Sequence, residues 1–146
     1  MPPETINTQS ADETFAAGER LAGTLGPGDV VALTGDLGAG KTCFVQGLAR
    51  GLGARTWATS PTFVLVNEYR GDVPIHHVDA YRVAGPAEMI EVGLLELIDG
   101  DGVTVIEWAD RIASLLPDRA IHVAIAGVGD EPRTITTRRG RGVSDP

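Results

Sequence analysis

Three sets of residues in this chain have types and spacings that could do chemistry. The first is Gly35-Asp36-Leu37-Gly38-Ala39-Gly40-Lys41-Thr42, which fits G-x-x-x-x-G-K-[ST]. Its glycines free the backbone to turn successive N–H groups onto phosphate oxygens, and a helix starting at the lysine presents its positive end to the same anion. Lys41 can then reach the β- and γ-phosphates, while Thr42 offers a hydroxyl to the accompanying Mg²⁺. The second set is a pair of acids, Asp79 after "VPIHHV" and Glu107 after "VTVI", each closing an apolar run where a phosphate loop needs a carboxylate near its metal. Both fit a metal-shell or a water-positioning role, and the sequence does not divide those roles between them. The third is Thr62 in "TSPTF", where phosphate-loop switches place a threonine that senses the γ-phosphate; a turn hydroxyl is the competing reading.

The base follows from a count. Of twelve cationic residues eleven are arginine, and Lys41 is the only lysine. The guanine signature Asn-Lys-x-Asp needs a second lysine, so the nucleotide expected is ATP, with Mg²⁺.

A net charge of −8 and a pI near 4.7 make the chain a poor candidate for gripping nucleic acid directly, since such binding draws on a basic face that displaces counterions. No direct DNA binding is expected, and contact with RNA is expected only through a basic partner. The Arg138-Arg139-Arg141 cluster reads as a solvated tail, with a tRNA contact as the alternative. No apolar run has the length of a membrane span, and the single cysteine, Cys43, excludes an internal disulfide and suits a reducing compartment. The expectation is a cytoplasmic protein.

Around these residues the pattern is that of one α/β domain. Residues 1–9 read as a flexible tail, 10–138 as the phosphate-loop domain and 139–146 as a disordered tail. Ser10 and Glu13 form a capping box ahead of a helix over 11–25, with Phe15, Leu21, Ala22 and Leu25 at helical spacing. "VVALTG" (30–35) is a buried strand running into the glycine loop. A helix follows from Lys41, its Phe44, Val45, Leu48, Ala49 and Leu52 on one face and Gly51 and Gly53 at its end. Residues 60–82 read as two strands joined by a turn at Arg70-Gly71-Asp72, and 85–99 as one or two short helices with Pro86 in a first turn. Residues 103–110 are a strand ending in acid and 109–116 a short helix; 120–127 and 132–139 are antiparallel strands. His76 and His77 alternate with apolar residues, so one faces the core and the other solvent, and neither has the partners of a metal ligand. Trp108 reads as core more readily than as a base-stacking ring.

Taken in order, "ETFAAGERLA", "GDLGAGKT", "SPTFVLVNEY", "HHVDAYR" and "EWADR" resemble the TsaE (YjeE) family, over residues of about 10 to 138. The resemblance implies a single P-loop NTPase-like domain with a mixed central sheet flanked by helices. It implies an ATPase that is weak alone and acts with the TsaB and TsaD proteins, meeting tRNA through that complex, in threonylcarbamoyladenosine modification of the adenosine next to the anticodon. By position it makes Lys41 and the loop from Gly35 to Gly40 the phosphate cradle, and Thr42 and Glu107 the Mg²⁺ ligands, with Asp79 a second essential acid near the metal. Thr62 becomes the switch-like threonine, Trp108 an aromatic beside the nucleotide and Arg133 a nucleotide contact. The chain departs from the family pattern at Cys43, which ends the loop where a second threonine is usual, in "HHVDAYR" for "HFDLYR", and in the proline missing from "EWADR". These changes leave the phosphate chemistry intact and fall on the packing around the adenine and the partner faces. Two other classes compete: a small-molecule kinase, with Asp36 or Asp79 near the accepted hydroxyl, and a module that binds ATP without needing to hydrolyse it.

Overall fold

The chain begins with a strand where the sequence predicts a tail. In the computed structural model, which describes residues 4–35, 40–55, 66–81, 83–127, 129 and 131–140, β1 (Glu4–Thr8) pairs antiparallel with the last strand. "ETINT" holds one apolar residue, Ile6, which packs at the margin of the core, so the usual alternation signal is nearly absent and backbone pairing fixes the element instead. Helix α1 (Ala11–Ala22) follows with Ser10 as the predicted cap: its hydroxyl accepts from the Glu13 N–H at 3.2 Å, while the Glu13 carboxylate accepts from the N–H of Gln9, one residue before the cap, at 2.8 Å.

The remaining elements are β2 (Val30–Gly35), α2 (Lys41–Gly51), β3 (Val66–Arg70), β4 (Pro74–Asp79), α3 (Pro86–Glu91), α4 (Leu94–Ile98), β5 (Val103–Glu107), a 3₁₀ helix (Ala109–Leu115), β6 (Ile121–Ala126) and β7 (Arg133–Arg139). The described strands form one sheet in the order β1-β7-β6-β2-β5-β4-β3. Strands β6, β2, β5 and β4 are parallel, and antiparallel pairs flank them on both sides. The sheet is mixed; β2 at its centre is apolar on both faces, as a strand covered by helices must be, while β4 and β5 bury the polar His77, Thr104 and Glu107.

Strand alternation divides the core in two. Val31, Leu33, Ile75, Val105 and Val123 face α1 and α2, while Val30, Ala32, Val78 and Ile106 face α3, α4 and the 3₁₀ helix. The buried face of α1 is Thr14, Ala17, Gly18 and Ala22, smaller than the Phe15–Leu25 stripe expected from apolar spacing. The cause is a close helix crossing. A Cβ on Gly18 would stand 2.2 Å from the Phe44 carbonyl oxygen, and one on Gly47 would stand 1.9 Å from that of Phe15. Backbone therefore touches backbone, and α2 is seated on α1 by shape.

Gly47→Ala is expected to lose roughly 2 kcal/mol of stability or more by overpacking, whereas Gly26→Ala, where a Cβ meets nothing within 4 Å, should leave the melting temperature unchanged. Equal thermal melts for the two variants would contradict the close crossing.

Candidate nucleotide site

Register collects the site. Leu33 pairs with Glu107 and Asp79 pairs with Glu107 across the parallel strands, so β2, β5 and β4 end together. On the other side Gly35 pairs with Ile125, Ala126 with Thr134, and Arg133 with Thr8. One edge of the sheet thus carries Thr8, Arg133, Gly35, Glu107 and Asp79 in strand order. The carboxyl ends of parallel strands are where open α/β sheets bind ligands.

The loop joins that edge to α2. Residues 36–39, with Asp36, Leu37, Gly38 and Ala39, lie outside the described residues, as does Thr62. Gly40 caps α2 with φ 101°, a left-handed conformation that favours glycine. Lys41 and Thr42 open the first helical turn, whose N–H groups point along the axis toward the loop. Lys41 is 6 % exposed. Its ammonium donates to the Gly35 carbonyl at 2.5 Å and sits 3.8 Å from the centre of the Trp108 ring, a cation–π contact.

Trp108 follows Glu107 directly and is held at φ 59°, ψ 39°, the one non-glycine residue with positive φ among those described. A bulky residue there costs of order 1–3 kcal/mol, and such strain gathers at functional sites. Trp108 is half-buried and packs at the margin of the core, and Tyr81 packs against it with ring centroids 4.8 Å apart.

The two acids sit differently. Glu107 is buried, and His77 Nε2 lies 2.5 Å from its Oε2. Asp79 is half-buried and accepts from the Tyr81 N–H at 2.8 Å. His77 is the core-facing histidine of the pair, fully buried. The His76 side chain is 13 % exposed, less open than alternation predicts, and stands 3.7 Å from the Glu68 carboxylate.

Among the described residues no three His, Cys, Asp or Glu side chains gather as a metal cage. Mg²⁺ needs none, because it keeps several waters and shares phosphate oxygens with one or two carboxylates. The hard oxygen donors of Thr42, Glu107 and Asp79 on one edge suit that ion.

Beside Gly40 lies a cavity of about 300 Å³ lined by Thr8, Ser10, Thr14, Cys43, Glu131 and Arg133 among others. Thr8 and Thr14 bond through their hydroxyls at 2.7 Å, tying β1 to α1 at the cavity wall. The Arg133 guanidinium donates to the Glu131 and Gly129 carbonyls, which holds it at the rim. The Cys43 thiol donates to the Ala11 carbonyl at 3.1 Å. Burial pushes its pKa above the ordinary value, opposed by a hydrogen bond from the Phe15 backbone and assisted by Asp12.

Sequence reasoning did not find Thr8, Thr14 or Glu131 as cavity residues, because they come from separate stretches and carry no motif. It also left His77 without a role, although a residue two before Asp79 on a strand must share its face.

A mixed sheet with a glycine loop running into a helix at its carboxyl edge defines a P-loop NTPase-like α/β fold. Residues 8–135 match the model of the family described as threonylcarbamoyl adenosine biosynthesis protein TsaE. The tRNA threonylcarbamoyladenosine biosynthesis protein TsaE of Treponema pallidum is 43% identical over 129 residues, covering 88% of this chain and 96% of that protein. The protein of the same name from Bacillus subtilis is 42% identical over 130 residues, covering 88% and 81%. The crystal structure of Bacillus subtilis YdiB superposes with a TM-score of 0.80 at 37% identity, covering 96% of this chain and 87% of that one. The chain belongs to the TsaE family.

With its pKa raised, Cys43 holds less thiolate than a free cysteine at any pH below its midpoint, so alkylation at pH 8 should run slower than for free cysteine and accelerate toward higher pH. If the cavity takes the nucleoside, ATP should slow the reaction further. A rate like that of free cysteine and indifferent to ATP would contradict both statements.

Proposed function

We propose that this chain is an Mg²⁺-dependent ATPase subunit in threonylcarbamoyladenosine modification of tRNA, working with the TsaB and TsaD proteins. The observation that carries this reading is the sheet edge, on which a nucleoside-sized cavity, the loop-to-helix junction and two acids follow one another in strand order. The names of the relatives from Treponema pallidum and Bacillus subtilis support the pathway, and the acidic charge of −8 suits a subunit that meets tRNA through partners. The resemblance supports TsaB and TsaD as those partners, and a cytoplasmic setting goes with them. Among the described residues no helix is long and apolar enough to cross a membrane.

In this reading the base and ribose occupy the cavity, with Arg133 at its rim and Cys43 on its wall. The phosphates lie over Gly35–Gly40 and the first turn of α2, where the N–H groups at the helix start and the helix dipole favour negative charge. Lys41 leaves the Trp108 face for the β- and γ-phosphates, and Trp108 stays as a neighbour of the nucleotide. Thr42 and Glu107 would hold the metal, with Asp79 as the second acid, placed to orient water at the γ-phosphorus or to complete the metal's shell. Bound Mg²⁺ supplies neutralisation of charge on the β- and γ-oxygens. Water attacks the γ-phosphorus, the bond to the bridging oxygen breaks, and ADP and phosphate leave. Thr62 is the candidate that senses the γ-phosphate.

Hydrolysis should be slow for the protein alone and rise at least tenfold with the TsaB–TsaD pair and tRNA present. Lys41→Ala should lower the stimulated rate by about 100-fold, on the scale of losing one charge-stabilising group. No stimulation at any partner concentration would overturn the partner-dependent ATPase. Stoichiometric transfer of phosphate to a small acceptor would replace it with a kinase, and full pathway activity in Glu107→Ala would leave only a nucleotide-binding module.

A further inference from the structure

Behind Glu107 runs a line of buried polar side chains that the proposed chemistry does not use. His77 Nε2 lies 2.5 Å from Glu107 Oε2, and His77 Nδ1 lies 3.1 Å from the Tyr69 hydroxyl. His77 is fully buried, and Tyr69 and Glu107 are 7 % and 5 % exposed. On this face Ile75, Val103, Val105 and Leu33 are apolar core residues, and Asn67, paired with His77, is polar. Polar groups in such surroundings are costly unless each donor and acceptor is matched. An ionised carboxylate only accepts, so the His77 Nε2–H donates to Glu107, while Nδ1 and the Tyr69 hydroxyl share the second hydrogen bond. Glu107 Oε1 carries no hydrogen bond among the described residues.

We propose that Tyr69 and His77 are positioning residues for Glu107, fixing one carboxylate oxygen inward so that the other is presented to the divalent cation bound with the nucleotide. The proposal rests on the reading of Glu107 as a metal ligand. Carboxylate ligands are oriented by hydrogen bonds from groups behind them, and losing such a group typically lowers metal affinity 10- to 100-fold. The register makes the contact possible. His77 pairs with Val105, two residues before Glu107 on the same face, so the Glu107 side chain meets the imidazole across adjacent strands. Tyr69 reaches it from β3, where Asn67 pairs with His77.

The test is the binding of AMPPNP, a non-hydrolysable ATP analogue, measured by calorimetry in EDTA and across a Mg²⁺ titration. His77→Leu should leave the affinity in EDTA unchanged and raise the Mg²⁺ midpoint about tenfold. His77→Gln, whose amide N–H can replace Nε2–H, should restore most of that shift, which a merely space-filling role would not require. Tyr69→Phe should raise the midpoint about threefold, less than loss of the imidazole because it acts through it. Glu107→Gln separates the two levels. If it raises the midpoint and His77→Leu does not, the positioning role is overturned while the ligand reading stands. If Glu107→Gln leaves the midpoint at the wild-type value, the ligand reading fails and the inference fails with it. Should His77→Leu not fold by circular dichroism, Tyr69→Phe carries the decision, and a wild-type midpoint there overturns the proposal.

Discussion

The parallel register of β2, β5 and β4 is the constraint on which the rest of the site depends. Side chains alternate along a strand, so a slip of one residue would send Glu107 to the opposite face and replace it with Ile106 or Trp108. With Leu33, Glu107 and Asp79 paired in line, the acids lie on the α2 face and at the end from which the glycine loop departs. The antiparallel flank extends the same edge through Arg133 and Thr8. A nucleotide laid along it would meet cavity, amides, lysine and acids in the order of its own parts.

Two features hold that edge in place. On one side the glycines of α1 and α2 permit backbone contact, which sets where the first turn of α2, and so Lys41, stands relative to the sheet. On the other, Trp108 is kept in a left-handed conformation directly after Glu107 and takes the Lys41 ammonium on its ring. Helix packing supplies the position and the strained turn supplies the contact. The Tyr69–His77–Glu107 line adds a third restraint from within the sheet.

Much of this was legible in the sequence. Strands β2 and β5 are short apolar runs bounded by glycine or acid, and β6 alternates cleanly, so length and period identify them. The strand ends at Gly35, Asp79 and Glu107 were legible because each closes such a run. Strand β1 was not, since one isoleucine among polar residues carries no period and its stability comes from pairing with β7. The face of α1 is not legible from apolar size, because a close helix crossing selects small residues. The cavity and the line through Tyr69 and His77 are assembled by register between strands, which no local pattern encodes.

In the proposed reading Thr42 and Glu107 share one Mg²⁺ with a nucleotide lying along this edge. A crystal structure of the protein with AMPPNP and Mg²⁺ measures it most directly. The expected result has the adenosine in the cavity beside Cys43 and Arg133, the phosphates over Gly40 and Lys41, and the metal bound by the Thr42 hydroxyl and the Glu107 carboxylate. Phosphates away from the loop, or a metal held by neither residue, would contradict it.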